Sequence, residues 1–183
     1  MLRTVPLPCL MTMLPMLACG CASEPARFPE DWLGSWSGEV TPHSARGAGE
    51  RFGMRLDIAR TDDPARFDWT ITYSGSAGTQ VREYSLLVRD AAAGRYAIDE
   101  RNGIVLEQQL LGGAFYSWFD IGGSRLCVRE RLVRAGEAGE HIEVEIASAR
   151  DRDAVSTGPN GEVSSLPLVS VQQAQLRRVP AAR

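Results

Sequence analysis

The chain of 183 residues contains no lysine, so its 20 basic residues are all arginine. This absence excludes mechanisms that need a lysine amine, such as a Schiff base or a P-loop lysine. Histidine is scarce, with only His43 and His141, and Cys127 is the one cysteine outside the first 21 residues. Because zinc sites need three or four His, Cys or carboxylate ligands, we expect no metal and no cofactor.

Motifs for catalysis and for nucleic-acid binding are also missing. The sequence has no Gly-x-Ser-x-Gly nucleophile elbow, and no pair of carboxylates stands out as an acid–base couple. The formal net charge of −3 is mildly acidic and spread along the chain, which argues against nucleic acid as a partner. We therefore predict no catalytic residues and rank an enzyme below non-enzymatic binding.

Residues 1–21 form a segment unlike the rest of the chain. Arg3 is its one charged residue, and an apolar run containing three prolines follows it. The run is shorter than the roughly 20 residues that a membrane-spanning helix needs. A basic start, an apolar stretch and small residues at the end are typical of a secretory signal peptide.

The end of this segment, Met16 to Cys21, resembles a bacterial lipobox, in which small residues precede a cysteine that becomes acylated. Cys19 follows Ala18 and fits best, while Cys21 is the alternative. Neither cysteine is followed by Asp, and by resemblance to Gram-negative lipoproteins this implies the outer membrane. The resemblance thus implies an exported protein with a lipid anchor, facing the periplasm, and residues 22–31 are predicted to be a polar tether.

Residues 32–180 show the pattern of strands. Apolar and polar residues alternate over segments such as 52–58 and 67–73, and no sustained 3.6-residue period is present. Asn102-Gly103 between two apolar runs indicates a hairpin, and residues 148–165 are predicted to be a long polar loop. About 8–10 strands joined by short turns predict an all-β fold, a single antiparallel up-and-down β-barrel.

Two short segments resemble the calycin superfamily, which includes lipocalins, fatty-acid-binding proteins and nitrobindin-like barrels. They are Gly34-Ser35-Trp36 on the first strand and Gln175-Leu176-Arg177-Arg178 on the last. In calycins this tryptophan closes one end of the barrel under a basic side chain. The resemblance implies that Trp36 is the plug and that Arg177 or Arg178 is the cation, an interaction of about 0.5–2 kcal/mol.

Two further segments of the sequence bear on this resemblance. Residues 96–104 are similar to exported bacterial domains of the same general shape. Nitrobindin-like haem binding relies on a histidine in a late strand, where this chain has Gln172 and Gln173, so haem is not expected.

Two charged residues interrupt otherwise apolar strand faces. Glu130 lies on the face of Val128 and Leu132, and Arg82 lies on the face of Tyr84. An unpaired buried carboxylate is unfavourable. One hypothesis is therefore an internal Arg82–Glu130 ion pair, and the other is that both side chains reach water at the barrel rim.

The inward-facing aromatic side chains can either line a cavity or fill the barrel. With a cavity, we predict non-enzymatic binding of a small, partly apolar ligand. With a filled barrel, the surface would bind or inhibit a protein of the cell envelope. The candidate ligand-binding residues are Trp69, Tyr73, Arg82, Tyr84, Tyr96, Phe115, Phe119 and Glu130.

Overall fold

The computed structural model describes residues 26–134 and 139–180. Its strands are β1 (Gly34–Ser44), β2 (Gly47–Ala48), β3 (Phe52–Arg60), β4 (Arg66–Gly75), β5 (Gly78–Asp90), β6 (Arg95–Asp99), β7 (Val105–Leu111), β8 (Ala114–Ile121), β9 (Ser124–Val133), β10 (His141–Arg150), β11 (Val155–Thr157), β12 (Val163–Ser165) and β13 (Leu168–Arg178). One turn of 3₁₀-helix, η1 (Asp151–Asp153), follows β10. Over this part of the chain, no helix is long and apolar enough to cross a membrane. The predicted signal peptide, with Cys19 and Cys21, lies outside the described residues.

Ten strands form one closed antiparallel barrel. Around the barrel the order is β1, β3 to β10, then β13, and β13 pairs back to β1. Strands that follow one another along the chain are therefore hydrogen-bonded neighbours in the barrel, which confirms the predicted up-and-down barrel. The short strand β2 extends β1 as a hairpin, while β11 and β12 form a separate two-stranded sheet.

The alternation in the sequence determines which side chains fill the barrel. On β3, Met54, Leu56 and Ile58 are buried, whereas Arg55 points outward. Leu56 pairs with Ile71 of β4 across the ladder, so the apolar faces of the two strands coincide. Because side chains alternate across a strand, the polar residues in between remain on the outer surface.

The barrel closes where β1 meets β13. Val40 lies opposite Ala174, and Trp36 lies opposite Arg178. A Cβ atom on Gly38 would lie 2.2 Å from the carbonyl oxygen of Gln175, a distance that no side chain tolerates. Glycine at this position therefore permits the close approach of the two strands.

One end of the barrel is filled by aromatic rings. Phe28 makes edge contacts with Trp32, Phe67, Tyr96 and Phe115. Such geometry suits the charge distribution of the rings. Here the predicted tether needs a correction: Ala26 and Phe28 pack against the core, because Phe28 finds an apolar site there.

Arg178 covers this closed end from outside. Its guanidinium carbon lies 4.0 Å from the centroid of the Trp36 ring. It also donates hydrogen bonds to the carbonyl oxygens of Asp31 and Leu33, at 2.8 and 2.7 Å, and to the carboxylate of Glu140. Of the two candidate cations the structure thus places Arg178 over the ring, because Arg177 pairs with exposed Ser37 on the outer face.

The predicted loop 148–165 is wrong in part. Strand β10 continues to Arg150, and the side chains of Ser148 and Ser170 are hydrogen bonded at 2.7 Å. The segment then contains η1 and the β11–β12 hairpin. These elements are short and consist mainly of polar, exposed residues, so hydrophobic periodicity does not reveal them.

Candidate functional site

A cavity of about 250 Å³ lies inside the barrel, next to the closed end. Buried Trp69, Gln108 and Glu130 line its inner part, and exposed Arg82 and Ile121 line its outer part. Depressions of about 480 to 530 Å³ also occur on the outer surface, but polar, exposed side chains and loop backbone dominate two of them. The third depression, at Leu111 and Trp118, is mostly apolar. The interior cavity is more enclosed than all three, and its wall is mostly apolar, as expected for a ligand site.

Most of the cavity wall is apolar. Strands β4, β5 and β8 contribute the aromatic side chains Trp69, Tyr73, Tyr84 and Phe119. Aliphatic side chains supply the remainder, among them Met54, Ile71, Ile98, Leu106, Leu126 and Ile146. These positions face inward because they lie on the apolar face of their strands, where every second residue points into the barrel.

Six of the eight predicted ligand-binding residues line this cavity. They are Trp69, Tyr73, Arg82, Tyr84, Phe119 and Glu130. Tyr96 and Phe115 do not, because both pack against Phe28 at the closed end. The alternation of residues indicates that a side chain points inward, but it does not indicate how far along the barrel axis the side chain lies. The assignment of Tyr96 and Phe115 to the cavity was wrong for this reason.

Glu130 is the buried carboxyl of the cavity. It is 4% exposed, and Gln108 Nε2 donates a hydrogen bond to its Oε2 at 3.4 Å. Burial raises the pKa of Glu130 to about 7, while the hydrogen bond from Gln108 opposes this shift. At neutral pH the side chain therefore exists in both its neutral and its ionised form.

Gln108 is a site residue that the sequence analysis missed. It is 7% exposed, and its Oε1 is buried without a hydrogen-bond partner. A signal was available, because Gln108 lies between Leu106 and Leu110 on the same face of β7. That is the same interruption of an apolar face that singled out Glu130.

The hypothesised Arg82–Glu130 ion pair is not formed. Arg82 donates hydrogen bonds to Tyr84 Oη at 3.2 Å and Gln80 Oε1 at 3.3 Å, and its guanidinium stacks on Tyr73 at 5.4 Å. It is exposed at the outer part of the cavity. The rim hypothesis thus holds for Arg82, while Glu130 lies in the interior with Gln108.

Comparison with known proteins gives little beyond shape. No protein-family model matches the chain, and no curated protein matches it either. Among solved structures, the chain is similar to an S-type phycobiliprotein lyase from Guillardia theta, with a TM-score of 0.48 and 12% identity. The match covers 82% of this chain and 89% of that chain. The strand order defines a closed ten-stranded up-and-down antiparallel barrel.

Proposed function

We propose that the barrel binds a small, largely apolar molecule in its interior cavity and does not alter it chemically. The observation that carries the proposal is the cavity itself, whose wall is apolar and whose inner part contains the buried polar groups of Gln108 and Glu130. A few polar groups in an otherwise apolar pocket are typical of sites that orient a ligand.

We also propose that the protein works in the cell envelope. The lipobox-like segment ending at Cys19 supports this part of the proposal, together with the tether that leads into the closed end of the barrel. A lipid anchor there would leave the outer part of the cavity, at Arg82 and Ile121, facing away from the anchored segment. The barrel would then exchange its ligand with the periplasm.

The second candidate function is recognition of an envelope protein by the barrel surface. One observation supports it: Leu111 and Trp118, on the outer face of β7 and β8, are 55% and 68% exposed. Exposed apolar residues of this kind are common on proteins without partners, and the interior is not filled. The cavity therefore favours ligand binding.

Native mass spectrometry of the purified protein tests the first proposal. We expect a small molecule to copurify, and a Leu106→Trp variant to lose it because the larger ring fills the cavity. Val105 is the matched control, because it neighbours Leu106 on β7 but is exposed on the outer face. A Val105→Trp variant should keep the copurified mass. Retention of that mass by Leu106→Trp would place the ligand outside the barrel and contradict the proposal.

A further inference from the structure

The inner part of the cavity contains two buried acceptor groups that receive fewer hydrogen bonds than they can accept. Gln108 Oε1 has no partner, and the carboxyl of Glu130 receives one long hydrogen bond, at 3.4 Å, from Gln108 Nε2. Buried polar atoms in folded proteins are paired with few exceptions. A ligand with N–H or O–H donors would supply the missing hydrogen bonds to both groups.

The nearby side chains do not supply these donors. Ser117 Oγ, which also lines the cavity, donates to the backbone oxygen of Glu107 at 2.8 Å. Arg82 donates to Tyr84 and Gln80. Among the described residues that line the cavity, Arg82 is the one cation, and it is not paired with Glu130.

The aromatic rings that line the same cavity favour a positive charge there. Trp69 is fully buried in the inner part, and Tyr73 and Phe119 line the same space. The π-face of an aromatic ring attracts a cation within about 6 Å, most strongly for Trp and more so where water is excluded. A buried carboxyl, a free amide oxygen and these rings together suit a cationic nitrogen that carries protons.

We infer that the cavity binds a small apolar monoamine, with its ammonium group hydrogen bonded to Gln108 Oε1 and to the carboxylate of Glu130. This inference rests on the proposed function, because it assigns the ligand of the same cavity. The apolar part of the amine lies along Leu106, Leu126 and Ile146. Arg82 at the outer part disfavours a second positive charge there, so a diamine binds less well.

The volume of the cavity limits the size of the amine. Pockets for drug-sized ligands span about 300–1,000 Å³, and this cavity measures about 250 Å³. It therefore fits a short chain or a single ring with one head group. A long-chain lipid would extend past Arg82 into solvent.

Affinity for the amine depends on the ionisation of Glu130. Burial raises the pKa of Glu130 to about 7, and binding of an ammonium group favours the ionised carboxylate. The charged or titratable groups that line the cavity with it are Tyr73 on β4, Arg82 and Tyr84 on β5, and Glu100 after β6. Affinity should therefore rise from about pH 6 to about pH 8, with a proton released on binding at the lower pH.

Isothermal titration calorimetry of the purified full chain tests the inference with three probes of equal length: hexylamine, hexanol and hexanoate. We expect hexylamine to bind most tightly. Glu130→Gln keeps the shape of the side chain but removes its charge, and should weaken hexylamine binding by roughly 10- to 100-fold. It should also abolish the pH dependence and the proton release. Glu83→Gln, which removes an exposed carboxylate from the outer face of β5, is the matched control and should leave the affinity for hexylamine, its pH dependence and the proton release unchanged.

The possible results separate this inference from the proposed function. Tighter binding of hexanol or hexanoate than of hexylamine, or equal hexylamine binding by the wild type and Glu130→Gln, overturns the amine but leaves an apolar ligand site. Failure of all three probes to bind also overturns the amine inference. The copurified mass and its loss in Leu106→Trp then decide independently whether the cavity binds another molecule.

Discussion

Trp36 is the residue on which the closed end of the barrel depends. Its ring is fully buried, its Nε1 donates to the carbonyl oxygen of Trp32 at 2.8 Å, and Arg178 lies across its face. One side chain thus links the first strand, the last strand and the segment that precedes the barrel. Arg178 strengthens this link with its hydrogen bonds to the backbone of that segment.

Trp36→Ala should lower the free energy of unfolding by about 3–5 kcal/mol, because it leaves a cavity and removes the cation–π contact. Urea denaturation followed by circular dichroism measures this change. Trp118 is the matched control, since it is 68% exposed on the outer face of β8. Trp118→Ala should change stability by no more than about 0.5 kcal/mol. A loss below about 1 kcal/mol for Trp36→Ala would contradict its role as a plug.

Glu130 should make the protein less stable as the pH rises. Its folded-state pKa of about 7 lies above the unfolded value of 4.5, so folding favours the protonated form. Below both values the group has no effect. As the pH rises from the unfolded value to the folded one, stability is lost, by about 3 kcal/mol once the pH exceeds 7.

Comparison with Glu130→Gln isolates this effect from other titrating groups. The free energy of unfolding of Glu130→Gln minus that of the wild type should increase by about 3 kcal/mol between about pH 4.5 and about pH 8. Urea midpoints across this range provide the measurement. Parallel curves for Glu130→Gln and the wild type would mean that the carboxyl of Glu130 reaches water.

At the scale of elements, the contact between β1 and β13 determines whether the sheet closes. The two strands approach closely at Gly38, where a side chain would collide with the backbone of Gln175. Backbone atoms cannot move aside as a flexible side chain can. The chain therefore needs glycine here for packing, although its backbone conformation is ordinary.

Gly38→Ala should destabilise the barrel by about 1–3 kcal/mol through overpacking. Thermal unfolding followed by circular dichroism is a suitable measurement. Ser37→Ala tests the neighbouring position on the outer face of the same strand, where Ser37 is exposed, and should be nearly neutral. Equal stability of Gly38→Ala and the wild type would show that β1 and β13 lie further apart than described.

Strands with alternating residues were predictable from the sequence, and those without were not. The period of two in β3 and β4 gave their inward faces because one side of each strand is apolar. Strands β11 and β12 are short and exposed, so no pattern marks them. The place of Phe28 at the closed end depends on contacts with distant strands, which local sequence does not encode.

The candidate site was predictable only in part for a related reason. Glu130 and Arg82 both interrupt apolar faces, yet one is buried and the other is exposed at the rim. How deep each side chain lies in the barrel depends on the register between strands and on which end of the barrel is filled by aromatic rings. Neither quantity is contained in the periodicity of a single strand.

At the scale of the whole molecule, the barrel has one closed end and a cavity that reaches towards the other. The segment that enters the closed end leads back to Cys19, the predicted lipid attachment site. Cys19→Ser should therefore release the protein from the membrane fraction into the soluble periplasmic fraction, as measured by fractionation and immunoblotting. Membrane association in this variant would move the assignment to Cys21, and membrane association in the double variant would contradict acylation.

The most direct test of ligand binding by the barrel is a crystal structure of the protein purified from its own cells. The cavity should contain continuous non-protein electron density that contacts Gln108 Oε1 and Glu130 and extends between Trp69 and Phe119 towards Arg82. An interior in which these side chains have collapsed onto one another, or one that contains only ordered water, would contradict the proposed function.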